Sequence, residues 1–444
     1  MRAFAATIER LSALGNHSVL AQFCDIHGVA RGKLVPLAHL KDLVEVGAGF
    51  SGPSIWGTGL PRHGPRSEYF GRVQLESLRP LPFMPGIVHA VCDGFAGGEP
   101  LETCSRQLLR RQVRALSDRG WQLHVGIEPE FFLLRKPDGA GPWAVHDVQD
   151  RLTKPSYDIR ALQRSQDFLE AMRASLQALG FDLQQTDHED ANGQYEINYR
   201  HDQALAAADR FMLFKMAGHA LAEQHGMVFS CMPKPWSDAP GSGLHFHLSI
   251  TDPQGRAVFA EPQSGLGLSS LGHQFAAGLL HHADALSAVC APTVNSYKRL
   301  SASDSKSGTT WSPVWKTVGD NNRTCLVRVV AGRLEWRLPD PSCNIYAAIA
   351  ATLVAGLDGI DSGLPAAPPC DEDLYERHRS GRPMPARLPR DLYSALDALR
   401  GDAVLRSGLG NAFCDQFLAV KSAEWDAYAQ QVHPWEFERY ADSC

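Results

Sequence analysis

The sequence lacks the features by which several protein classes are recognised. Its ten cysteines are scattered singly from Cys24 to Cys444 without a C-x-x-C pair, which indicates reduced thiols rather than a disulfide framework or a zinc site. No hydrophobic run is long enough to span a bilayer, and residues 1–15 predict an amphipathic helix without an apolar signal-peptide core. The net charge of −6 argues against general binding to nucleic acid or to a membrane surface. We therefore expect a cytoplasmic protein.

Standard motifs for phosphate binding and hydrolysis are also missing. The chain contains no Walker loop, kinase signature, H-E-x-x-H or G-x-S-x-G. The run GAGFSG at 47–52 matches G-x-G-x-x-G, but Pro53 follows where a helix should continue, so no dinucleotide site is predicted. A bound polyphosphate would have to be held by arginine and metal instead.

The composition is that of a globular protein, with 44% hydrophobic and 21% charged residues. The length of 444 residues predicts two or three domains. The pattern predicts a hairpin over 19–36 with its turn at His27-Gly28, a helix over 105–119, and a domain boundary near residue 100. Two further amphipathic helices are predicted over 159–179 and 203–225, each followed by a glycine that can end a helix.

The most informative stretch is LHVGIEPEFFLL at 123–134. Residues two apart in a strand project from the same face, so Glu128 and Glu130 are expected to lie side by side in otherwise apolar surroundings. Burying one unpaired carboxylate costs several kcal/mol. A divalent metal is the simplest neutralising partner, and the alternative is a solvated acidic face of the strand.

Two later segments supply more side chains of the metal-binding types. In DHEDANGQYEINYR at 187–200 the Asn192-Gly193 pair predicts a tight turn, so Glu189 and Glu196 can converge on one point. In PGSGLHFHLSI at 240–250 the strand pattern places two histidines, His245 and His247, on one face. Solvated surface carboxylates and satisfied core histidines are the alternatives.

A basic block between 295 and 344 completes the candidate site. It carries five arginines around a single acid, Glu335, in the strand GRLEWRL. The five are Arg299, Arg323, Arg328, Arg333 and Arg337. Any one of them could form an ordinary surface salt bridge. Together with the carboxylates and histidines, their planar forks favour a site for two hard divalent metals, a polyphosphate and a small carboxylic acid.

The chain resembles the glutamine synthetase superfamily in six ordered runs: GIEPEFFLL, HEDANGQYEIN, GSGLHFHLS, NSYKRL, NNRTCLVRV and GRLEWRLPDPSCNIYAAIAATLVAGLDGI. The runs RGKLVP at 31–36 and LAVKSAEWDAY at 418–428 resemble the N-terminal domain and the C-terminal helix of the family, so the resemblance covers nearly the whole chain. Within the family, DANGQYEIN and the C-terminal ADSC are most similar to the type III-like branch and the γ-glutamylmethylamide synthetases.

The resemblance implies an α+β fold. An N-terminal β-grasp domain (1–100) would precede a glutamine-synthetase-type catalytic domain (101–444) with a curved antiparallel sheet. It also implies two or more Mg²⁺ or Mn²⁺ ions per site, ATP as co-substrate, and active sites between adjacent subunits of a ring-shaped homo-oligomer such as a dodecamer.

The resemblance further implies a role for each candidate residue. The metal nearer glutamate would be held by Glu130, Glu189 and Glu196. The metal nearer the nucleotide phosphates would be held by Glu128, His245 and Glu335. Glutamate would be bound by Gly241, Arg299 and Arg337. The nucleotide would be bound by His247, Ser249, Arg328 and Arg333. Arg323 and Arg328 would neutralise the transferring phosphoryl group.

Three departures from the family pattern concern the amine. The ammonia-using enzymes carry FDGSSI, whose Asp binds and deprotonates ammonium, whereas this chain has FSGPSI with Ser51 at that position. The glutamate that closes the flap is replaced by Ser305, beside Asp304, and the asparagine before the glycine loop is Pro240. Asp304, Glu196 and a metal-bound phosphate oxygen are then the candidate bases for the amine. Ser51, flanked by Phe50, Ile55 and Trp56, is the candidate amine-site residue.

These implications define the expected activity: an ATP-dependent ligase that forms a γ-glutamyl amide through a γ-glutamyl phosphate intermediate. The amine is expected to be methylamine or another small alkylamine. One alternative is a glutamine synthetase that uses ammonia. An alternative of another class is a non-enzymatic homologue that senses glutamate or nucleotide, and a metallohydrolase would not need the arginines.

Overall fold

The computed structural model describes residues 2–137, 139 and 141–443. Met1 and Cys444, which belong to the predicted N-terminal helix and to the run ADSC, lie outside the described residues. Within the described residues no helix has both the length and the apolar composition that a membrane crossing requires.

The N-terminal part is a seven-stranded sheet with two helices. The helices are α1 (Arg2–Ala13) and α2 (Leu40–Glu45), and the strands are β1 (Ser18–Cys24), β2 (Ala30–Pro36), β3 (Ala48–Ser51), β4 (Glu68–Val73), β5 (Arg79–Pro80), β6 (Ile87–Ala96) and β7 (Glu99–Pro100). The main path is β2-β1-β6-β4-β3, in which β1 and β6 run parallel. The predicted hairpin is confirmed, because β1 pairs antiparallel with β2 and the Asp25 carboxylate accepts the backbone N–H groups of His27 and Val29 in the turn.

The predicted boundary near residue 100 falls between β7 and α3 (Ser105–Asp118). Buried apolar residues before this point form one cluster that extends from Leu11 to Cys104. A second, larger cluster is built mainly from residues after it, but Ile26, Leu81, Phe83 and Ile87 also belong to that cluster. The two parts therefore pack against each other, and the division into domains 1–100 and 101–444 stays a prediction.

The second part contains a ten-stranded sheet. Its strands are β8 (Gln122–Arg135), β9 (Ala144–Val145), β10 (Leu183–His188), β11 (Gln194–Tyr199), β12 (Asp202–Gln203), β13 (Val228–Ser230), β14 (Leu244–Thr251), β17 (Val318–Asp320), β18 (Val327–Val330) and β19 (Arg333–Trp336). A separate pair is formed by β15 (Asp304–Ser305) and β16 (Gly308–Thr309). The main path is β10-β11-β8-β14-β19-β18-β17. The predicted antiparallel pairing is confirmed, except that β17 and β18 run parallel.

The central strand of this sheet is β8, the strand that contains LHVGIEPEFFLL. Its residues Val125, Ile127 and Phe131 point into the apolar core. The alternate residues Glu128 and Glu130 point to the other face, as the two-residue period predicts. Because β14 and β11 pair with opposite edges of β8, polar residues from three strands meet on this face.

The helices after α3 are α4 (Ile159–Arg164), α5 (Gln166–Ala178), α6 (Ala204–Gln224), α7 (Ser270–His281), α8 (Ala283–Cys290), α9 (Ser296–Arg299), α10 (Ile345–Asp361), α11 (Leu374–Arg379), α12 (Leu392–Gly401), α13 (Ala403–Leu409), α14 (Asn411–Ala429) and α15 (Pro434–Tyr440). Of these, α6 packs against β8 on the apolar face of the sheet, as α3 does, whereas α15 buries none of its residues. The prediction of one helix over 159–179 is wrong. That segment forms α4 and α5, which meet at Ser165, whose hydroxyl bonds with the hydroxyl of buried Tyr195 at 2.6 Å.

Candidate active site

Two adjoining cavities open on the polar face of the sheet. The first has a volume of about 300 Å³ and the second of about 540 Å³. Five residues line both of them: Glu128, Tyr157, Glu189, Glu196 and Arg323. The cavities therefore meet at an acidic group, so that two different molecules could be bound with their reacting ends at one place.

Strand pairing brings the acidic and imidazole side chains together. Glu128 on β8 pairs with His245 on β14, and His247 pairs with Glu335 on β19. Glu128 accepts hydrogen bonds from both imidazoles, with Oε1 3.2 Å from His245 Nδ1 and Oε2 2.8 Å from His247 Nε2. One ligand atom each from Glu128, His245 and Glu335 lies within 4.8 Å of the other two. Carboxylate oxygens with one imidazole make a donor set that a divalent cation can use.

Glu335 is fully buried and is stabilised as an anion. Arg328 Nη1 donates to its Oε2 at 2.6 Å, and Arg337 donates to its Oε1. Burial alone raises the pKa of Glu335, but the positive charge of Arg337 and the imidazoles outweigh it and lower that pKa to about 2. Burial likewise raises the pKa of Glu128, and the hydrogen bonds from His245 and His247 bring it well below its usual value.

Among the described residues, no arginine forms an ion pair with Glu130, Glu189 or Glu196. Glu130 Oε2 accepts from the backbone N–H of Gly243 at 2.9 Å and from Gln194 Nε2 at 3.0 Å. Burial, and then the charge of Glu130, raises the pKa of Glu189 to about 8. Burial and the neighbouring carboxylates also raise the pKa of Glu196 well above its usual value. The side chains in this part of the site do not neutralise its carboxylates. A bound cation would reduce the repulsion between these carboxylates.

The glycine loop before β14 brings backbone close to the first cavity. A Cβ atom at Gly241 would lie 2.2 Å from Pro233 O, and one at Gly243 would lie 2.5 Å from His245 Nε2. No other residue fits either position without a shift of its neighbours. Gly241 lines the first cavity, as the predicted role in glutamate binding requires.

The two predicted glutamate arginines also line the first cavity, but their forks are partly used by the protein. Arg299 is only 4% exposed and donates to the backbone oxygens of Leu338 at 3.0 Å and Arg337 at 3.1 Å. Arg337 bonds to Glu335 and, through Nη2, to the backbone oxygen of Trp311 at 3.1 Å. Arg337 Nε is buried without a hydrogen-bond partner in the described part of the chain. The structure therefore places both arginines at the cavity, and their roles in binding stay predictions.

The predicted nucleotide residues line the second cavity. These residues are His247, Ser249, Arg328 and Arg333. Arg333 Nε lies 3.3 Å from His247 Nδ1, so β14 and β19 hold the two side chains together. Arg323 follows β17 in a loop and lines both cavities, between the predicted glutamate and nucleotide positions.

Two candidates for the amine step lie outside both cavities in this chain. Asp304 belongs to the β15–β16 pair, where its carboxylate forms an ion pair with Arg379 at 2.8 Å. Ser51 ends β3 on an exposed surface of the N-terminal part, and its hydroxyl accepts from Ser54 Oγ at 2.9 Å. Neither residue contacts the acidic group in this chain, and their roles stay predictions.

The cavities also contain residues that the sequence analysis did not select. Tyr157 and Trp311 have left-handed backbones, with φ of 63° and 56°, and both line the first cavity. Asp190 lies beside Trp311 and accepts its indole N–H at 2.7 Å. A positive φ at an aromatic residue cannot be inferred from the sequence. Of these three residues, only Asp190 could have been selected from the sequence, because it is next to Glu189.

Comparisons with known proteins show which proteins this chain is similar to. Residues 102–440 match the family model described as the glutamine synthetase catalytic domain. The chain is 44% identical over 428 residues to the glutamate–methylamine ligase of Methyloversatilis universalis, covering 96% of each protein. It is 37% identical to a glutamine synthetase of Rhizobium leguminosarum bv. phaseoli, covering 95% of this chain and 96% of the relative.

Solved structures agree with these relatives. A structure described as a GmaS/ADP complex superposes with a TM-score of 0.91 at 39% identity, covering 98% of this chain and 99% of the other. A structure of GmaS without ligand gives a TM-score of 0.90 at 38% identity, with the same coverage. The predicted fold class and resemblance are thus confirmed, and the chain belongs to the glutamine synthetase family of carbon–nitrogen ligases.

Proposed function

We propose that the chain is an ATP-dependent ligase that joins glutamate and methylamine, or another small alkylamine, into a γ-glutamyl amide. The observation that carries the proposal is the meeting of two cavities at one group of carboxylates. The first cavity has the volume and basic side chains for a small dicarboxylate, and the second is larger and bordered by arginines, as a nucleotide requires. The family generally uses ATP and divalent metals.

Two divalent ions, Mg²⁺ or Mn²⁺, would fit the donor set between the cavities. Glu128, His245 and Glu335, whose ligand atoms lie within 4.8 Å of each other, would hold the ion nearer the nucleotide. A second ion would be held by Glu130, Glu189 and Glu196. When bound, such ions neutralise phosphate oxygens during phosphoryl transfer.

Glutamate would occupy the first cavity. Arg299 and Arg337 supply positive charge there, and the buried Nε of Arg337 has no other partner among the described residues. Gly241 permits close approach of backbone to the substrate, because no side chain fits at that position. These contacts would direct the γ-carboxylate of glutamate toward the acidic group and the second cavity.

Arg323 lines both cavities and would face the phosphoryl group during its transfer. An oxygen of the γ-carboxylate attacks the γ-phosphorus of ATP, so that ADP leaves and γ-glutamyl phosphate forms. The bound alkylammonium ion first gives a proton to a base, for which Asp304, Glu196 and a phosphate oxygen are the candidates. The free amine then attacks the acyl carbon, phosphate leaves, and the nitrogen gives up a second proton to solvent as the amide forms. Guanidinium groups aimed at the transferring group stabilise the charge that develops on its oxygens.

The choice of an alkylamine is supported by the methylamine-using relative and by Ser51. A neutral serine cannot attract ammonium as an aspartate does, whereas an alkylamine gains roughly 0.8 kcal/mol per buried CH₂ group. Ser51 is exposed in one chain, and we propose that it reaches the site of an adjacent subunit in a ring-shaped homo-oligomer such as a dodecamer. Asp304 would then lie near this shared opening.

The test is ATP- and glutamate-dependent phosphate release across a panel of amines, with the products identified by mass spectrometry. The proposal expects γ-glutamylmethylamide and a higher kcat/KM for methylamine than for ammonia. A tenfold preference for ammonia would instead indicate a glutamine synthetase. Absence of phosphate release with every amine, in a protein that still binds glutamate, would indicate the non-enzymatic sensor.

A further inference from the structure

The segment 310–312 is fixed at the rim of the first cavity by contacts on both flanks. Thr310 Oγ1 bonds with the hydroxyl of Tyr375 at 3.0 Å, and that hydroxyl also donates to Ser312 O at 2.8 Å. Ser312 Oγ donates to the backbone oxygen of Arg299 at 2.6 Å. Thr310 and Ser312 are both buried. The residue between them, Trp311, is therefore held in one orientation.

Trp311 has a left-handed backbone at this position, with φ of 56°. Glycine is the residue that adopts this conformation readily, and a bulky side chain there is a true outlier. The backbone oxygen of Trp311 accepts from Arg337 Nη2 at 3.1 Å, and the residue as a whole remains 40% exposed. A strained aromatic residue that its neighbours hold in place at a cavity rim is typical of a functional position.

The carboxylate of Asp190 lies against the edge of this indole. Its Oδ2 accepts from Trp311 Nε1 at 2.7 Å, and its other oxygen accepts from the hydroxyl of Ser156. No ion pair of the described residues involves Asp190, so its negative charge is not matched by an arginine or lysine. Tyr157, a second aromatic residue with positive φ, also lines this cavity and is 71% exposed.

We propose that Trp311 and Asp190 form the subsite that binds the alkylammonium ion and selects it over ammonium. This inference rests on the proposed ligase function. A carboxylate attracts any small cation, whereas an indole face also binds the methyl-bearing cation and covers its apolar surface. Ammonium has no methyl group to bury. Burying one methyl group corresponds to about a fourfold preference for methylamine over ammonia. The indole would supply the surface that buries it.

The test compares kcat/KM for methylamine and for ammonia in wild type, Trp311→Gly, Trp311→Phe and Asp190→Asn. Trp311→Gly suits the backbone conformation, so we expect a folded protein whose methylamine-to-ammonia ratio falls at least about fourfold. Trp311→Phe keeps an aromatic face and should retain part of the preference. Asp190→Asn should raise the KM of both amines while the KM values of ATP and glutamate stay unchanged.

Trp143→Ala is the matched control, because this exposed tryptophan lines a neighbouring cavity instead of the first one. It should keep the wild-type ratio. An unchanged ratio in both Trp311 variants, or unchanged amine KM values in Asp190→Asn, would overturn the inference while the ligase function stands. A wild type that forms no γ-glutamyl amide would overturn the ligase function, and the inference with it.

Discussion

Replacing Glu335 by glutamine should destabilise the metal-free protein strongly. Glu335 is fully buried and accepts from two guanidinium groups, Arg328 at 2.6 Å and Arg337. A carboxyl whose pKa falls from 4.5 to about 2 on folding contributes about 3 kcal/mol to the free energy of unfolding at neutral pH. Breaking a buried ion pair by removing one partner independently suggests about 3 to 5 kcal/mol.

The sign of the pH dependence follows from the lowered pKa of Glu335. The stabilisation is fully present above pH 4.5 and is lost as the pH falls through about 2. The free energy of unfolding should therefore differ most between wild type and Glu335→Gln at neutral pH, and the two should converge in acid.

The assay is urea unfolding at fixed protein concentration in the presence of EDTA, so that no metal contributes to stability. Glu102→Gln is the control, because Glu102 is an exposed carboxylate on the same chain. We expect a loss of about 3 kcal/mol for Glu335→Gln and less than about 0.5 kcal/mol for the control. A loss below about 1 kcal/mol for Glu335→Gln would refute the view that this carboxylate neutralises the two arginines.

Three further predictions concern the substrates and the helical core. Arg337→Lys keeps a positive charge but loses the planar fork, so the affinity for glutamate should fall by roughly 1 to 3 kcal/mol; an unchanged glutamate KM would make Arg337 purely structural. Ser51→Asp should gain ammonia use relative to methylamine, measured by kcat/KM, and no gain would remove Ser51 from the amine site. His282 bonds to Asp402 at 2.6 Å and to Asp358 at 3.1 Å; burial lowers its pKa, but these carboxylates outweigh burial and raise it above 6.5. Its contribution to stability is therefore full below pH 6.5 and is lost as the pH rises through the raised value, so wild type and His282→Gln should differ more in unfolding temperature at pH 6 than at pH 9.

The sequence alone was sufficient to predict which site residues lie together where a local rule determines the direction of their side chains. The two-residue period of a strand places Glu128 and Glu130 on one face of β8, and the Asn192-Gly193 turn lets the chain reverse between Glu189 and Glu196. Both rules operate within a few residues, so the spacing alone predicted these groupings. The register between distant strands, which adds His245 opposite Glu128, came from the family resemblance.

Other features depend on contacts between distant segments. At the break between α4 and α5, Ser165 bonds to Tyr195, which lies 30 residues away in the chain. The ion pair of Asp304 with Arg379 could not be inferred from either segment alone. The orientation of Trp311 depends on hydrogen bonds that fix both neighbours, and its sequence neighbourhood gives no sign of a positive φ.

The central claim is that glutamate is activated as γ-glutamyl phosphate before the amine attacks. Glutamate labelled with ¹⁸O in its γ-carboxylate tests this claim most directly, in a reaction with ATP and methylamine. The account predicts that one labelled oxygen from each turnover appears in the released inorganic phosphate, and that the other stays in γ-glutamylmethylamide. Phosphate without the label, released together with the amide, would contradict the account.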